Sequence, residues 1–96
     1  MTQLTLISPQ SYPLKSLIES AIANELRSLQ AGLRRTEARL RQFEAHYQLL
    51  TIDFIDRFEN DQLEETLELA EWVGEYRLWH KLQEKLAVLK GISFVN

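Results

Sequence analysis

The chain has 96 residues, of which 45% are hydrophobic and 26% charged, with a formal net charge of −3. This length and composition indicate one folded domain with a small core, and they argue against a disordered chain. There is no cysteine, which excludes disulfides, thiolate nucleophiles and cysteine-based zinc sites. The N-terminus has no signal-peptide pattern and no window is apolar enough for a membrane span, so we expect a cytoplasmic protein without a membrane partner.

Residues 1–12 are predicted to be an extended segment, and residues 13–50 a long helix without proline after Pro13. The apolar side chains of this helix recur at alternating steps of three and four, the heptad spacing of a coiled coil. Such a seam must be covered by another helix of the chain, by a second copy, or by both. Gly32 flanks the seam, which predicts close packing there. The expected dimer seam consists of Ile22, Leu26, Leu29, Leu33, Leu40 and Phe43.

Residues 51–59 are predicted to form a short linking helix with Thr51 as its N-cap. Asn60 and Asp61 are typical of a turn and cap, and a second long helix is predicted over residues 61–90, ending before Gly91. Residues 91–96 are a short β-prone tail. The predicted fold is therefore all-α, a long helical hairpin with a coiled-coil first helix. Because one hairpin has a thin core, we expect either a homodimer that forms a four-helix bundle or a tight hetero-complex.

Acidic residues are concentrated in one part of the sequence, since residues 51–75 hold nine acids and the single base Arg57. The helix macrodipole accounts for acids at a helix start, which covers the third helix only as far as Glu68. In a straight third helix, the later leucine stripe would align with Glu68, Glu71 and Glu75, so we expect a kink or a change of buried face near Gly74. The predicted partner-binding surface comprises Asp53, Asp56, Glu68, Glu71, Trp72, Glu75, Tyr76 and Trp79. The alternative is that these acids face water and pair loosely with arginines of the first helix.

Enzymatic and nucleic-acid functions find less support in the sequence. The pattern Glu64-Glu65-x-x-Glu68 resembles half of the magnesium-binding EExxE box of all-α nucleotide pyrophosphatases, but no second acidic element follows. We therefore predict no catalytic residues, no metal and no cofactor. Three arginines spaced seven apart share one helix stripe that could contact DNA phosphates, although a solvated face is the simpler interpretation. They are Arg27, Arg34 and Arg41.

The C-terminal half, about residues 40–86, resembles a group of small prokaryotic helical proteins that act as antitoxins and are often encoded beside a small toxin. The matching positions are Phe43-Glu44 with Tyr47, Asp53-Phe54, Arg57-Phe58-Glu59, Glu71-Trp72, and Leu82 with Leu86. Gln48 stands where many members have glycine. The resemblance implies a protein that binds and silences a cognate toxin, which we expect to be a basic ribonuclease. The alternative function is a structural coiled-coil adaptor without a toxin partner.

Overall fold

The computed structural model describes residues 2–5 and 13–95 and consists mainly of three helices. They are α1 (Leu14–Tyr47), α2 (Thr51–Glu59) and α3 (Leu67–Lys90), with short strands β1 (Thr2–Thr5) and β2 (Ile92–Val95). Helix α3 returns antiparallel along α1, and α2 closes one end of the hairpin. The all-α helical hairpin predicted from the sequence is confirmed. The molecule is elongated, with extents of 60 × 22 × 18 Å.

The predicted seam of α1 is buried, but within the chain. Leu29, Leu33, Leu40 and Phe43 are all less than 9% exposed, because α3 packs along this line of α1. Assigning these four residues to a dimer seam was therefore wrong, since one hairpin covers them by itself. Ile22 and Leu26, nearer the free end of α1, are only half-buried.

Gly32 lies in the line of contact between the two long helices. A methyl group placed on this residue would lie 3.4 Å from Cδ1 of Leu82, which is ordinary van der Waals contact. The expectation of close packing at Gly32 is confirmed, and the space there accepts one methyl group and little more.

The junction between α1 and α2 differs from the prediction in two ways. Helix α1 ends at Tyr47, and Gln48 follows in the left-handed conformation with φ of 53°, which interrupts the helix before residue 50. Thr51 is the first residue of α2 rather than its cap, because Leu50 has the extended backbone of the N-cap. The carboxylate of Glu44 supplies the missing acceptor, since its Oε2 receives the backbone N–H of Thr51 at 2.8 Å.

Helix α3 begins at Leu67, six residues later than the predicted start at residue 61. Thr66 is the N-cap, and its hydroxyl accepts the N–H of Leu69 at 3.1 Å. Asp61 instead has φ of 54°, which is incompatible with a helix start. Glu64 and Glu65 consequently lie before the helix, and Glu68 is the acid of its first turn.

The predicted kink at Gly74 is wrong, because α3 is one continuous helix across this position. Gly74 is exposed, and a methyl group placed there would meet nothing within 4 Å. The buried or half-buried stripe of α3 also continues on one face. It runs through Leu69, Trp72, Tyr76, Trp79, Leu82, Leu86 and Leu89, at steps of three and four.

The two terminal strands pair with each other in parallel, with Thr2 opposite Ile92 and Thr5 opposite Val95. The predictions of extended segments at both ends are confirmed for these residues. The rest of the predicted N-terminal segment, residues 6–12 with the break at Pro9, lies outside the described residues.

Candidate partner-binding surface

Trp72, one of the predicted partner anchors, is the centre of the core. Its side chain is 0% exposed, and its ring stacks on Phe54 with centroids 3.9 Å apart and on Phe43 at 5.4 Å. The indole Nε1–H donates to the hydroxyl of Thr51 at 3.0 Å, a buried hydrogen bond that ties α3 to the start of α2. The prediction that Trp72 contacts a partner is therefore wrong, because this residue joins α1, α2 and α3.

Two of the predicted partner-binding acids pair with α1 instead. Glu71 lies 3.6 Å from Arg39, and Glu68 lies 3.7 Å from His46. Arg39 also lies over the ring of Phe43, 4.4 Å from its centroid. All four charged or titratable side chains are about half exposed, so each pair contributes about 0–1 kcal/mol. For Glu68 and Glu71 the structure matches the alternative of loose pairing with the first helix.

Glu68 also faces Tyr47, at the end of α1. Partial burial of the phenol, followed by its hydrogen bond to Glu68 and the charge of that carboxylate, raises the pKa of Tyr47. The first turn of α3 and the last turn of α1 are thus connected through one acidic side chain.

A groove of about 410 Å³ opens where α2 begins, between α1 and α3, and we call it the aromatic groove. Its apolar lining is Leu40, Leu50, Ile52, Tyr76 and Trp79, and His80 lies at its edge. The Tyr76 hydroxyl is 2.9 Å from His80 Nε2, and Trp79 Nε1–H donates to Glu37 at 3.4 Å. Both aromatic side chains are half-buried. Of the predicted partner-binding aromatics, Tyr76 and Trp79 are thus brought together and remain accessible.

Leu50 and Ile52 are the most exposed apolar side chains of this groove, at 60% and 70%. Leu50 is the N-cap residue of α2, and Ile52 lies in its first turn. Helix α2 turns Phe54, Ile55 and Phe58 toward the core, which leaves Ile52 outside. A helical wheel of α2 alone could have separated Ile52 from the face that points to the core. No pattern in the sequence indicates that Leu50 is exposed.

Asp53 and Asp56 of α2 are exposed, which both the partner surface and the alternative of acids facing water predict. Asp56 lies one helical turn from Ile52 on the same side of α2, but neither acid lines the aromatic groove. Eight of the nine acids in residues 51–75 are exposed, and Glu75 is half-buried. Glu75 lines a different groove on the far side of α3 with Arg35 and Arg39, so it does not join the aromatic residues.

Glu44 holds the floor of the aromatic groove at the start of α2. Burial by itself would raise its pKa, but hydrogen bonds from Thr51 and Arg41 and the charge of Arg41 outweigh this and lower the pKa. The closest contact is the ion pair with Arg41, at 2.6 Å. The position of Thr51, and through it that of Trp72, thus depends on an ionised Glu44.

The arginine stripe predicted for nucleic acid is exposed on the outer side of α1. Arg41 is engaged with Glu44, and Arg27 donates a hydrogen bond to Asn24. Arg34 is exposed between them. Within the described residues, no group of three or more acidic or histidine side chains could hold a metal ion.

Within residues 2–5 and 13–95, no helix is long and apolar enough to cross a membrane. No protein-family model, curated protein or solved structure matches the chain.

Proposed function

We propose that the chain is a non-enzymatic protein-binding protein whose aromatic groove receives an apolar segment of a basic partner. The main support for this proposal is the exposure of Leu50 and Ile52 beside two half-buried aromatic side chains. Full burial of a side chain of this size contributes about 1.5–3 kcal/mol. The exposed side chains do not make this contribution in the monomer, and burial against a partner would supply it. Tyrosine and tryptophan at such a position are the residues that most often anchor interfaces.

Arg41 and Glu44 in the lining of this groove neutralise each other, so the exposed acids of α2 and of the segment after it provide the net charge, which favours a basic partner. Asp53 and Asp56 are exposed on α2, and Asp61, Glu64 and Glu65 are exposed along the segment that follows. An acidic surface of this kind accelerates association with a cationic partner and excludes an acidic one. The charge therefore determines which class of partner docks, and the apolar groove retains it.

Within this class, we assign the role of antitoxin, with a small cognate toxin as the partner. The support is the resemblance over residues 40–86 together with the backbone at Gln48. This residue has φ of 53° at the position where many of those antitoxins have glycine, the residue that adopts this conformation without strain. A basic ribonuclease is the expected toxin, because an acidic inhibitor can occupy the sites that bind RNA phosphates.

Two further roles proposed from the sequence have weaker support. An adaptor built on a coiled-coil dimer is supported by the half-buried Ile22 and Leu26. DNA binding by the outer arginine stripe is supported by the exposure of Arg34, although Arg41 already neutralises Glu44.

Co-expression with the product of the neighbouring gene tests the antitoxin role. We expect a stable complex and restored growth, and the substitution pair L50S/I52S should weaken the complex at least tenfold. The matched control is L67S, because Leu67 is 79% exposed, equally apolar and not part of the groove lining. A neighbour that is not toxic and forms no complex would refute the antitoxin role. Equal effects of L67S and the groove variant would refute the groove as the docking site.

The acidic component is tested separately by D53K/D56K in the same complex. Charges at the edge of an interface act mainly on the association rate and its salt dependence. We expect slower association and a flatter dependence on salt, with little change in the dissociation rate, as measured by surface plasmon resonance. An association rate that does not respond to these substitutions would show that the acids of α2 do not guide the partner.

A further inference from the structure

A second groove runs along the opposite face of the hairpin, and we call it the hairpin groove. It consists of two adjoining cavities of about 520 and 470 Å³ that share Glu25, Leu29 and Lys85. Its apolar floor is formed by Leu29, Leu78, Leu82, Val88 and Leu89. Leu78 and Val88 are 44% and 60% exposed, although both belong to the long helix that forms the hairpin.

The amount of exposed surface is larger than one chain of this mass usually has. The solvent-accessible area is 7154 Å², whereas a compact monomer of 11.3 kDa exposes about 5,700 Å². The excess is about 1,400 Å² per chain, and a standard protein interface removes about 800 Å² from each partner. The excess reflects the elongated shape of the chain, and it is larger than the area that one standard interface would remove.

The charges that border the hairpin groove are mixed and nearly balanced. Acids are contributed by Glu25, Glu75 and Glu84, and bases by Arg35, Arg39, Lys81 and Lys85. A two-fold symmetric interface brings the same surface patch together with itself, so it requires a patch that is complementary to itself. A patch with both signs meets this requirement, whereas the uniformly acidic α2 surface would repel its own copy.

From these observations we propose that the hairpin groove binds the hairpin groove of a second copy of this chain. The two hairpins would form a four-helix bundle, with Leu78 and Val88 of each copy buried against the other. Of the seam predicted from the sequence, only Leu29 lines this groove, and Leu33, Leu40 and Phe43 are covered by α3 within the chain. This interface also leaves the aromatic groove on the outside of each copy, where it remains open to another protein.

Light scattering coupled to gel filtration at micromolar concentration measures the mass directly. We expect twice the 11.3 kDa of one chain for the wild type, and 11.3 kDa for L78E/V88E with unchanged helical circular dichroism. The matched control I52E places the same charge on an exposed apolar residue of the aromatic groove and should remain dimeric. A monomeric wild type, or a dimer that persists in folded L78E/V88E, would overturn the proposal.

A charge exchange provides a test that does not depend on apolar substitutions. The variants K81E/K85E and E25K/E84K each give the charged lining of the 520 Å³ cavity a single sign, so each should be monomeric alone. Mixed in equal amounts, they should form a heterodimer of twice the chain mass. If the mixture stays monomeric while both variants are folded, or if each variant still dimerises alone, the two grooves do not face each other. A variant that loses the dimer but still binds the toxin, or one that stays dimeric but no longer binds it, distinguishes failure of this proposal from failure of the proposed function.

Discussion

The buried hydrogen bond between Trp72 and Thr51 allows a sharp test of how the hairpin is held closed. In T51V the side chain keeps its shape and volume, but the indole N–H of Trp72 loses its acceptor at 3.0 Å in a site with no exposure. An unsatisfied buried donor costs about 1–3 kcal/mol. The backbone N–H of Thr51 still donates to Glu44 in this variant, so the contact at the start of α2 is kept.

A double-mutant cycle isolates the contribution of this hydrogen bond. In W72F there is no indole N–H, so T51V leaves no buried donor without an acceptor in that background. We therefore expect T51V to destabilise the W72F background by at least about 1 kcal/mol less than it destabilises the wild type, as measured by urea denaturation. For a domain of this size, 1 kcal/mol corresponds to about 4–8 °C in melting temperature. T51S, which keeps the hydroxyl, is the control. Equal costs of T51V in both backgrounds would show that the Trp72 hydrogen bond does not stabilise the fold.

Other measurements address the remaining interactions. G74A should stabilise the protein by about 1 kcal/mol through helix propensity alone. G32A should stabilise it by a similar amount because the added methyl group fits, whereas G32L should destabilise it. Urea titrations measure the free energy of unfolding of all three variants. The folded-state pKa of Glu44 lies below its ordinary value near 4.5. The ionised Glu44 therefore stabilises the fold fully above about pH 4.5, and this stabilisation is lost as the pH falls through the folded-state pKa. E44Q should remove this part of the pH dependence of stability in an acid titration followed by circular dichroism. R39A and E71A should each cost less than about 1 kcal/mol, since their ion pair is half exposed, and a cost above 2 kcal/mol would contradict this estimate.

The main features of the hairpin could be predicted from the sequence because they depend on local periodicity. The alternation of three and four along α1 correctly identified the buried line from Leu29 to Phe43. The bounds of α2 were also correct. What periodicity cannot specify is which surface covers a seam. A helix of the same chain and a second copy satisfy the same pattern, so only the three-dimensional path of the chain decides between them.

The start of α3 was misplaced because two residues compete to be its cap. Asp61 and Thr66 are both good N-cap residues, and the sequence analysis chose the earlier one. The choice depends on the link from α2, where Asp61 adopts a positive φ. The change of face expected at Gly74 has a different cause. It was inferred by extending the later leucine stripe back to Glu68, Glu71 and Glu75, whereas the buried side of α3 passes through Leu69, Trp72 and Tyr76.

Trp72 illustrates how a partner-binding surface can be misassigned from composition. Its acidic neighbours suggested a solvent-facing anchor, yet α2 folds back over it and supplies Phe54 and the hydroxyl of Thr51. The spacing of residues 51–72 does not indicate the contact between Trp72 and α2, because a turn of irregular backbone separates α2 from α3.

Because Trp72 lies in the core, the expected docking site consists of other residues beside it. Helix α2 has only nine residues and can turn one narrow face toward the core, which Phe54 and Phe58 already fill. Leu50 and Ile52 must then lie outside, next to the exposed acids of the same helix. A sequence selected only for the stability of the monomer gains nothing from two exposed aliphatic residues at this point, where polar residues would serve equally well. Their placement at the edge of an aromatic groove, which the exposed Leu67 lacks, is the observation on which the proposed contact with another protein rests.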